Sequence, residues 1–205
     1  MTTLSTLEEL LAQMANDSSL PLKTNLVFGE GNPQAKVVFV GEAPGASEDE
    51  QKRPFVGRAG QLLNKLIEGI GWRREDVYIT NIVKRRPPEN RDPLPEEIDA
   101  YKPYLDRELA IVNPKVIVPL GRFSMSYFLP EGKISRDQGM VFLLKDTLIM
   151  PAYHPAAALR NPNLITDLES TFAKLPKLTE KHLEIVEHKT IEARENPPKT
   201  PSTLF

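Results

Sequence analysis

The sequence predicts an α/β protein: a three-layer α/β/α sandwich with a central, mainly parallel four-stranded sheet. Four short apolar runs point to the sheet: residues 36–40 (KVVFV), 77–83 (VYITNIV), 115–120 (KVIVPL) and 147–152 (TLIMPA). They are rich in Val and Ile and lack clean polar alternation, as expected of parallel strands covered on both faces. Stretches of helical periodicity fall between them, and strands alternating with helices build βαβ units.

In chain order, residues 4–14 carry an amphipathic pattern that predicts an added helix ahead of the first strand. Residues 57–70 place Leu62, Leu63, Leu66, Ile67 and Ile70 at helical spacing. Residues 95–112 open with Pro-Glu-Glu, a favourable first turn, and continue with Ile98, Tyr101, Leu105, Leu109 and Val112. A shorter helix is expected after Gly121. Beyond Leu178 the apolar pattern weakens. Residues 179–194 (TEKHLEIVEHKTIEAR) predict a charged helix, and 195–205 (ENPPKTPSTLF) a Pro-rich, disordered tail. The expected organisation is one domain over 1–178 and a charged helix with tail over 179–205.

The 205 residues are 26% charged and 40% hydrophobic, with a formal net charge of -2. That composition suits a soluble globular chain and argues against a globally basic nucleic-acid coat, while allowing a local basic patch. There is no cysteine, which excludes disulfides, thiolate metal sites and a Cys nucleophile. The first residues lack the basic and apolar regions of a signal peptide, and no run of about 18 apolar residues occurs. The expected location is the cytoplasm.

In an open α/β sheet, ligands bind beyond the carboxyl ends of the strands. Three of those ends are polar and turn-rich, and they are expected to converge on one cleft. The first is GEAPGASEDE, residues 41–50, with carboxylates at Glu42, Glu48, Asp49 and Glu50. Alone it reads as a solvated acidic loop. At the end of an early strand it also suits water activation or support of a developing cation. The following RPFVGRAGQLL, residues 53–63, holds Phe55 between a loop and a helix, with Gly57 and Gly60 permitting close backbone approach. Phe55 is either a core staple or a stacking platform for a planar ligand.

The second strand carries Asn81 among apolar neighbours. A buried Asn must satisfy its hydrogen bonds, and structural pairing explains it when taken alone. Its amide can also read a base edge, offering donor and acceptor together. Lys84, Arg85, Arg86 and Arg91 follow as the densest basic stretch, suited to phosphates or simply solvated. The last segment, PAYHPAAALRNP, sets His154 before Pro155, with Leu159 and Arg160 beyond it. His182 and His188 fall in the charged tail, where exposure is the default.

Taken together, VFGEGNPQAKVVFVGEAPG, EDEQKRPFVGRAGQLL, VYITNIVKRRPPENRDP and YHPAAALRNP resemble the uracil-DNA glycosylase superfamily, most closely its family 4, over residues 26–163. The resemblance implies a monofunctional glycosylase of base excision repair. Such an enzyme hydrolyses the N-glycosidic bond of deoxyuridine in DNA, releases uracil and leaves an abasic site. It implies that Phe55 stacks on the flipped uracil, that Asn81 pairs with its Watson–Crick edge, and that His154 hydrogen-bonds O2. It places Glu42, Glu48 and Asn90 among the catalytic residues. It also implies that Gly41 and Ala43 line the uracil pocket and that Leu159 and Arg160 belong to a minor-groove loop. Ala43 stands where the better-known version of the superfamily has an Asp that positions water, so that task passes to Glu42, Glu48 or the backbone.

Family 4 members usually hold a [4Fe-4S] cluster on four cysteines. The matching positions here are Asp17, Leu20, Arg85 and Tyr101, none of which can ligate it as a thiolate. No cofactor is expected, and contact between Tyr101 and Leu20 is the expected substitute brace. The competing reading is a relative that binds or covalently traps uracil-DNA without turnover. Some such relatives use a His in an inserted basic loop, and residues 84–92 contain neither, which favours turnover. A small-molecule hydrolase or nucleotide-binding module would need a nucleophile elbow or phosphate loop, and neither is present. The expected partner is uracil-containing DNA, bound by a monomer. The ending PSTLF, residues 201–205, resembles the QxxLF-type peptide that docks bacterial sliding clamps, with Pro201 in place of Gln and Leu204 and Phe205 as apolar anchors. A solvated tail is the favoured reading, because the missing Gln removes polar contacts.

Overall fold

Alternation of strand and helix builds a single six-stranded sheet in a computed structural model that describes residues 6–195. The PSTLF ending and the Pro-rich segment before it lie outside the described residues. Helix α1 (Leu7–Asn16) starts at a capping box: the Thr6 hydroxyl accepts from the Glu9 amide, and the Glu9 carboxylate accepts from the Thr6 amide. There follow β1 (Glu30–Gly31), β2 (Val37–Gly41), α2 (Ala46–Gln51), α3 (Arg58–Gly69), β3 (Tyr78–Asn81), α4 (Pro95–Val112) and β4 (Val116–Pro119). The chain continues through α5 (Arg122–Phe128), α6 (Ile134–Asp137), β5 (Phe142–Leu144) and β6 (Thr147–Ile149). Helices α7 (Pro155–Arg160), α8 (Asn163–Phe172), α9 (Leu175–Glu180) and α10 (His182–Glu195) complete it.

The sheet order is β1-β3-β2-β4-β6-β5. The inner four, β3, β2, β4 and β6, are parallel and correspond to the four apolar runs. Two antiparallel edge strands correct the expected count of four: β1 pairs with β3, and β5 with β6. Neither had a legible signal. Strand β1 is only Glu30 and Gly31. The β5–β6 turn is Lys145-Asp146, with Lys145 in the left-handed region (φ 54) rather than the Asn or Gly such turns favour.

Period-two alternation sends successive side chains to opposite faces. Val37 and Phe39 join one buried cluster with Leu63 and Ile67 of α3, Phe172 of α8 and Leu175 of α9. Val38 and Val40 join another with Tyr101 and Leu105 of α4, Phe128 of α5 and Met14 of α1. Phe39 and Phe172 stack at 5.2 Å; such a pair adds about 0.5–1.5 kcal/mol beyond area burial. Both faces are thus covered, which explains the lack of polar alternation. Helix α10 rests Ile185 and Val186 against the first cluster. His182 is a correction to the expectation of exposure: it is buried, with Nε2 2.8 Å from the Asp146 carbonyl.

Candidate active site

The carboxyl ends of β2, β3 and β6 meet at one cleft of about 430 Å³, with Glu42, Phe55, Asn81 and His154 in its walls. Ala43, Glu48, Asn90, Arg91 and Arg160 also line it. The chain reversals after the parallel strands therefore gather most of the candidate residues at one place.

Phe55 forms one wall. It is 5% exposed and belongs to the α3-side core, so it serves as core staple and cleft surface together. Its backbone is left-handed (φ 52), a conformation that costs a residue with a side chain about 1–2 kcal/mol. Glu48 holds the loop there. Its Oε1 accepts from the amides of Val56 (2.9 Å) and Gly57 (2.8 Å), and its Oε2 from Gly45 (3.2 Å). Gly60 lets α3 approach: a Cβ there would lie 1.9 Å from the Phe55 carbonyl oxygen.

Asn81 ends β3 and is 2% exposed, yet its buried Oδ1 has no hydrogen-bond partner among the described residues. An unpaired buried acceptor costs about 1–3 kcal/mol, so its presence at a cleft points to a donor brought by a ligand. Gly41 lies behind it. A Cβ on Gly41 would fall 2.3 Å from Asn81 Oδ1 and 2.6 Å from the Phe55 ring. The glycine is what lets amide and ring share one pocket.

His154 caps α7. Its Nδ1 accepts from the Ala156 amide at 3.1 Å, so the proton of the neutral ring sits on Nε2. Burial, with the Arg160 charge nearby, pushes the ring pKa down to about 4. At neutral pH the imidazole is a neutral donor. Glu42 follows β2, and its Oε1 accepts from the Phe123 amide at 3.0 Å. Burial pushes its carboxyl above the usual range, the Phe123 amide opposes this, and the Asp92 charge adds to it. Gly121 (φ 96) makes room, since a Cβ there would meet Glu42 Oε1 at 2.4 Å.

The basic stretch is not a row of free cations. Lys84, expected at DNA, is fully buried: Nζ lies 2.5 Å from both Glu108 Oε2 and Thr80 Oγ1. Its four-carbon stem points under the sheet because Lys84 continues from the α4-facing side of β3, where Glu108 waits. Arg85 is half-buried and donates to the Thr24 carbonyl. Arg86 donates to Asn90 Oδ1 at 2.7 Å. Arg91 grips the Glu97 carboxylate with both terminal nitrogens, at 2.9 and 2.6 Å. Asn90 itself is left-handed (φ 54) and exposed at the cleft. Leu159 and Arg160 are exposed at the end of α7. Sequence reasoning missed Phe123 and Ala156, which act through backbone amides and leave no side-chain signal.

The four positions matching cluster cysteines do not fit an iron–sulfur cluster. Asp17 accepts from the Ser19 amide (2.9 Å) and the Tyr104 hydroxyl (2.6 Å). Tyr101 donates to the Pro21 carbonyl at 2.8 Å and shares a buried cluster with Leu20. Arg85 braces Thr24 as described. The chain holds no cysteine, and no group of His, Asp or Glu among the described residues could hold a metal ion. Nor is any helix among them long and apolar enough to cross a membrane.

The family model of the uracil DNA glycosylase superfamily matches residues 28–178. A type-4 uracil-DNA glycosylase of Sulfurisphaera tokodaii is 49% identical over 166 residues, 76% of this chain and 76% of that protein. One from Archaeoglobus fulgidus is 48% identical over 165 residues, 76% of this chain and 83% of that protein. A DNA polymerase of Bacillus phage SP01 is 32% identical over 160 residues, which are 76% of this chain and 17% of the polymerase.

Proposed function

The chain belongs to the uracil DNA glycosylase superfamily, and from that premise we propose that it excises uracil from DNA by hydrolysis, leaving an abasic site for base excision repair. The observation that carries the reading is the unpaired Asn81 Oδ1 in a cleft walled by Phe55 and the neutral donor His154.

A base inside the stack is out of reach, so it must be extruded into the cleft. Uracil then lies on Phe55. Asn81 Oδ1 accepts from uracil N3–H, and its NH₂ donates to O4. Cytosine presents the opposite pattern, an acceptor at N3 and an amino group at C4, and is rejected. As the C1′–N1 bond breaks, its electron pair moves to the base. His154 Nε2–H donates to O2, where the charge grows, and the sugar is left with oxocarbenium character. Glu42 stabilises that cation and accepts a proton from the water that adds to C1′. Glu48 is assigned to holding the Phe55 loop, because both its oxygens already accept backbone amides. Asn90 has its oxygen engaged by Arg86, so its amide NH₂ is the group it offers the cleft.

Arg86, Arg91 and Arg160 contact phosphates in this reading, and Leu159 fills the gap left by the extruded nucleotide. Residues 1–178 are assigned to the glycosylase domain and 179–205 to an appendage, and the enzyme is assigned to the cytoplasm as a monomer without a cofactor. Incubation with a uracil-containing oligonucleotide, followed by alkali, tests the reading. Strand scission at the uracil position alone is expected. Stable or covalent binding without scission by folded protein would mean a non-turnover relative.

A further inference from the structure

Arg74 lies outside the cleft, in the turn that leads into β3, with a side chain 18% exposed. Its guanidinium nevertheless reaches the loop that carries Phe55. Nη2 donates to the Pro54 carbonyl at 2.5 Å, and Nη1 to the Phe55 carbonyl at 3.2 Å and to Asn64 Oδ1 at 2.9 Å. Nε donates to Glu30 Oε1 at 3.3 Å. Glu30 is fixed in turn by Arg53, through contacts of 2.6 and 2.8 Å.

Glu48 takes the next two groups along the same backbone, the amides of Val56 and Gly57. A cation therefore holds two successive carbonyls, an anion holds two successive amides, and Phe55 sits between them with its left-handed backbone. A loop released from one of these clamps relaxes toward ordinary negative φ, which swings the ring off the cleft wall. The planar guanidinium spans both carbonyls at once, and a lysine ammonium, a single point of charge, does not reproduce that fork.

We propose that Arg74 is a positioning residue for base recognition: it sets the Phe55 platform from behind and so governs affinity for the extruded base without touching it. The proposal rests on the uracil reading above. It is distinct from a DNA-contact role, because an arginine on phosphate acts whether or not a base is present.

The test is Arg74→Lys, which keeps a cation beside Glu30, measured against two duplexes. One carries a non-cleavable 2′-fluoro deoxyuridine and the other a tetrahydrofuran abasic site. Base–aromatic stacking has a size that predicts about a tenfold loss of affinity for the uracil duplex, with abasic affinity unchanged. The loss should vanish when Phe55→Ala is already present, since no ring remains to be placed. Glu30→Gln, which loosens Arg74 from outside, should act in the same direction more weakly and serves if Arg74→Lys does not fold. Unchanged affinity for both duplexes, equal loss on both, or a full effect in the Phe55→Ala background overturns the proposal. Failure of the wild-type protein to excise uracil overturns the uracil reading and the proposal with it. Wild-type excision with an indifferent Arg74→Lys overturns the proposal alone.

Discussion

The imidazole of His154 stacks on the ring of Phe55, with centroids 5.6 Å apart and planes inclined by 27°. The Ala156 amide bonds the edge of the same imidazole, at Nδ1. Ring orientation and tautomer are therefore both fixed before any substrate arrives. A donor fixed in advance is worth most where charge develops in the transition state, because it needs no reorganisation as the bond breaks.

His154→Ala is accordingly expected to lower the single-turnover excision rate by about 100- to 1000-fold. Affinity for a non-cleavable uracil duplex should fall much less. Equal losses in rate and affinity would place the donor's effect in the ground state and contradict the leaving-group role.

Asn81→Asp exchanges the amide donor for a second acceptor beside Gly41 and Phe55. Uracil excision is expected to drop by about 10- to 100-fold, the range for a mispaired buried polar group. Excision of cytosine should become detectable, since its amino group gains an acceptor. Oligonucleotides carrying uracil or cytosine at one position measure both, and unchanged uracil activity would reduce Asn81 to a strand residue.

The pH dependence should be set by Glu42 rather than His154. Burial raises the Glu42 carboxyl above the usual 4.5, and the ionised form is the one that accepts a proton. Activity is thus expected to fall as pH drops through a midpoint above 4.5, and Glu42→Gln should remove that limb along with most of the rate. His154 is held down at about 4 against an ordinary 6.5, so it stays neutral through this range. Its linkage to stability has a definite sign. The depressed folded pKa means the contribution is whole above pH 6.5 and is lost as pH falls toward 4. An acid limb centred near 4 and unaffected by Glu42→Gln would reverse the assignment.

Lys84 supports the fold. Lys84→Met leaves the Glu108 carboxylate buried without its counter-charge, with only the Tyr78 and Thr80 hydroxyls donating to it, which typically costs about 3–5 kcal/mol. The double variant Lys84→Met/Glu108→Gln, which keeps a neutral acceptor for the buried Tyr78 and Thr80 hydroxyls, should recover most of this in thermal melts. Its DNA affinity should show the same salt dependence as the wild type. A lost phosphate contact would instead shallow the slope of log affinity against log salt by about 0.9.

The Lys84 outcome marks where sequence reasoning stops. Strand runs and helix faces were legible because burial on both sides writes itself as apolar periodicity, and α4 spans the same residues, 95–112, that its pattern predicts. The gathering of Glu42, Phe55, Asn81 and His154 followed from the parallel inner strands, whose carboxyl ends all point to one side. A cation's partner, by contrast, is set by tertiary contact. Glu108 lies 24 positions from Lys84, and no local pattern joins them. Arg74 was invisible for the same reason, as were the amides of Phe123 and Ala156. The edge strands failed differently: two residues at β1 and a Lys-Asp turn at β5 are too short and too atypical to signal pairing.

The brace at the cluster-equivalent positions gives the last expectation. Tyr101 and Arg85 satisfy the carbonyls of Pro21 and Thr24, and Leu20 packs in the cluster that holds Tyr101. These contacts tie the segment after α1 to α4 and to the loop leading toward Asn90. If they replace a cluster mechanically, the purified protein is folded and active while colourless, without stoichiometric iron. Tyr101→Phe then removes one buried hydrogen bond and should cost about 0.5–1.5 kcal/mol, or somewhat more because the Pro21 carbonyl is left without that partner. The strain should show in the loop as well as in the melt: uracil-duplex affinity should decline in proportion to the loosening of residues 84–91, followed by amide hydrogen exchange. Broad visible absorbance with stoichiometric iron would contradict the cluster-free brace, and a Tyr101→Phe variant with unaltered exchange in 84–91 would disconnect it from the DNA-facing loop.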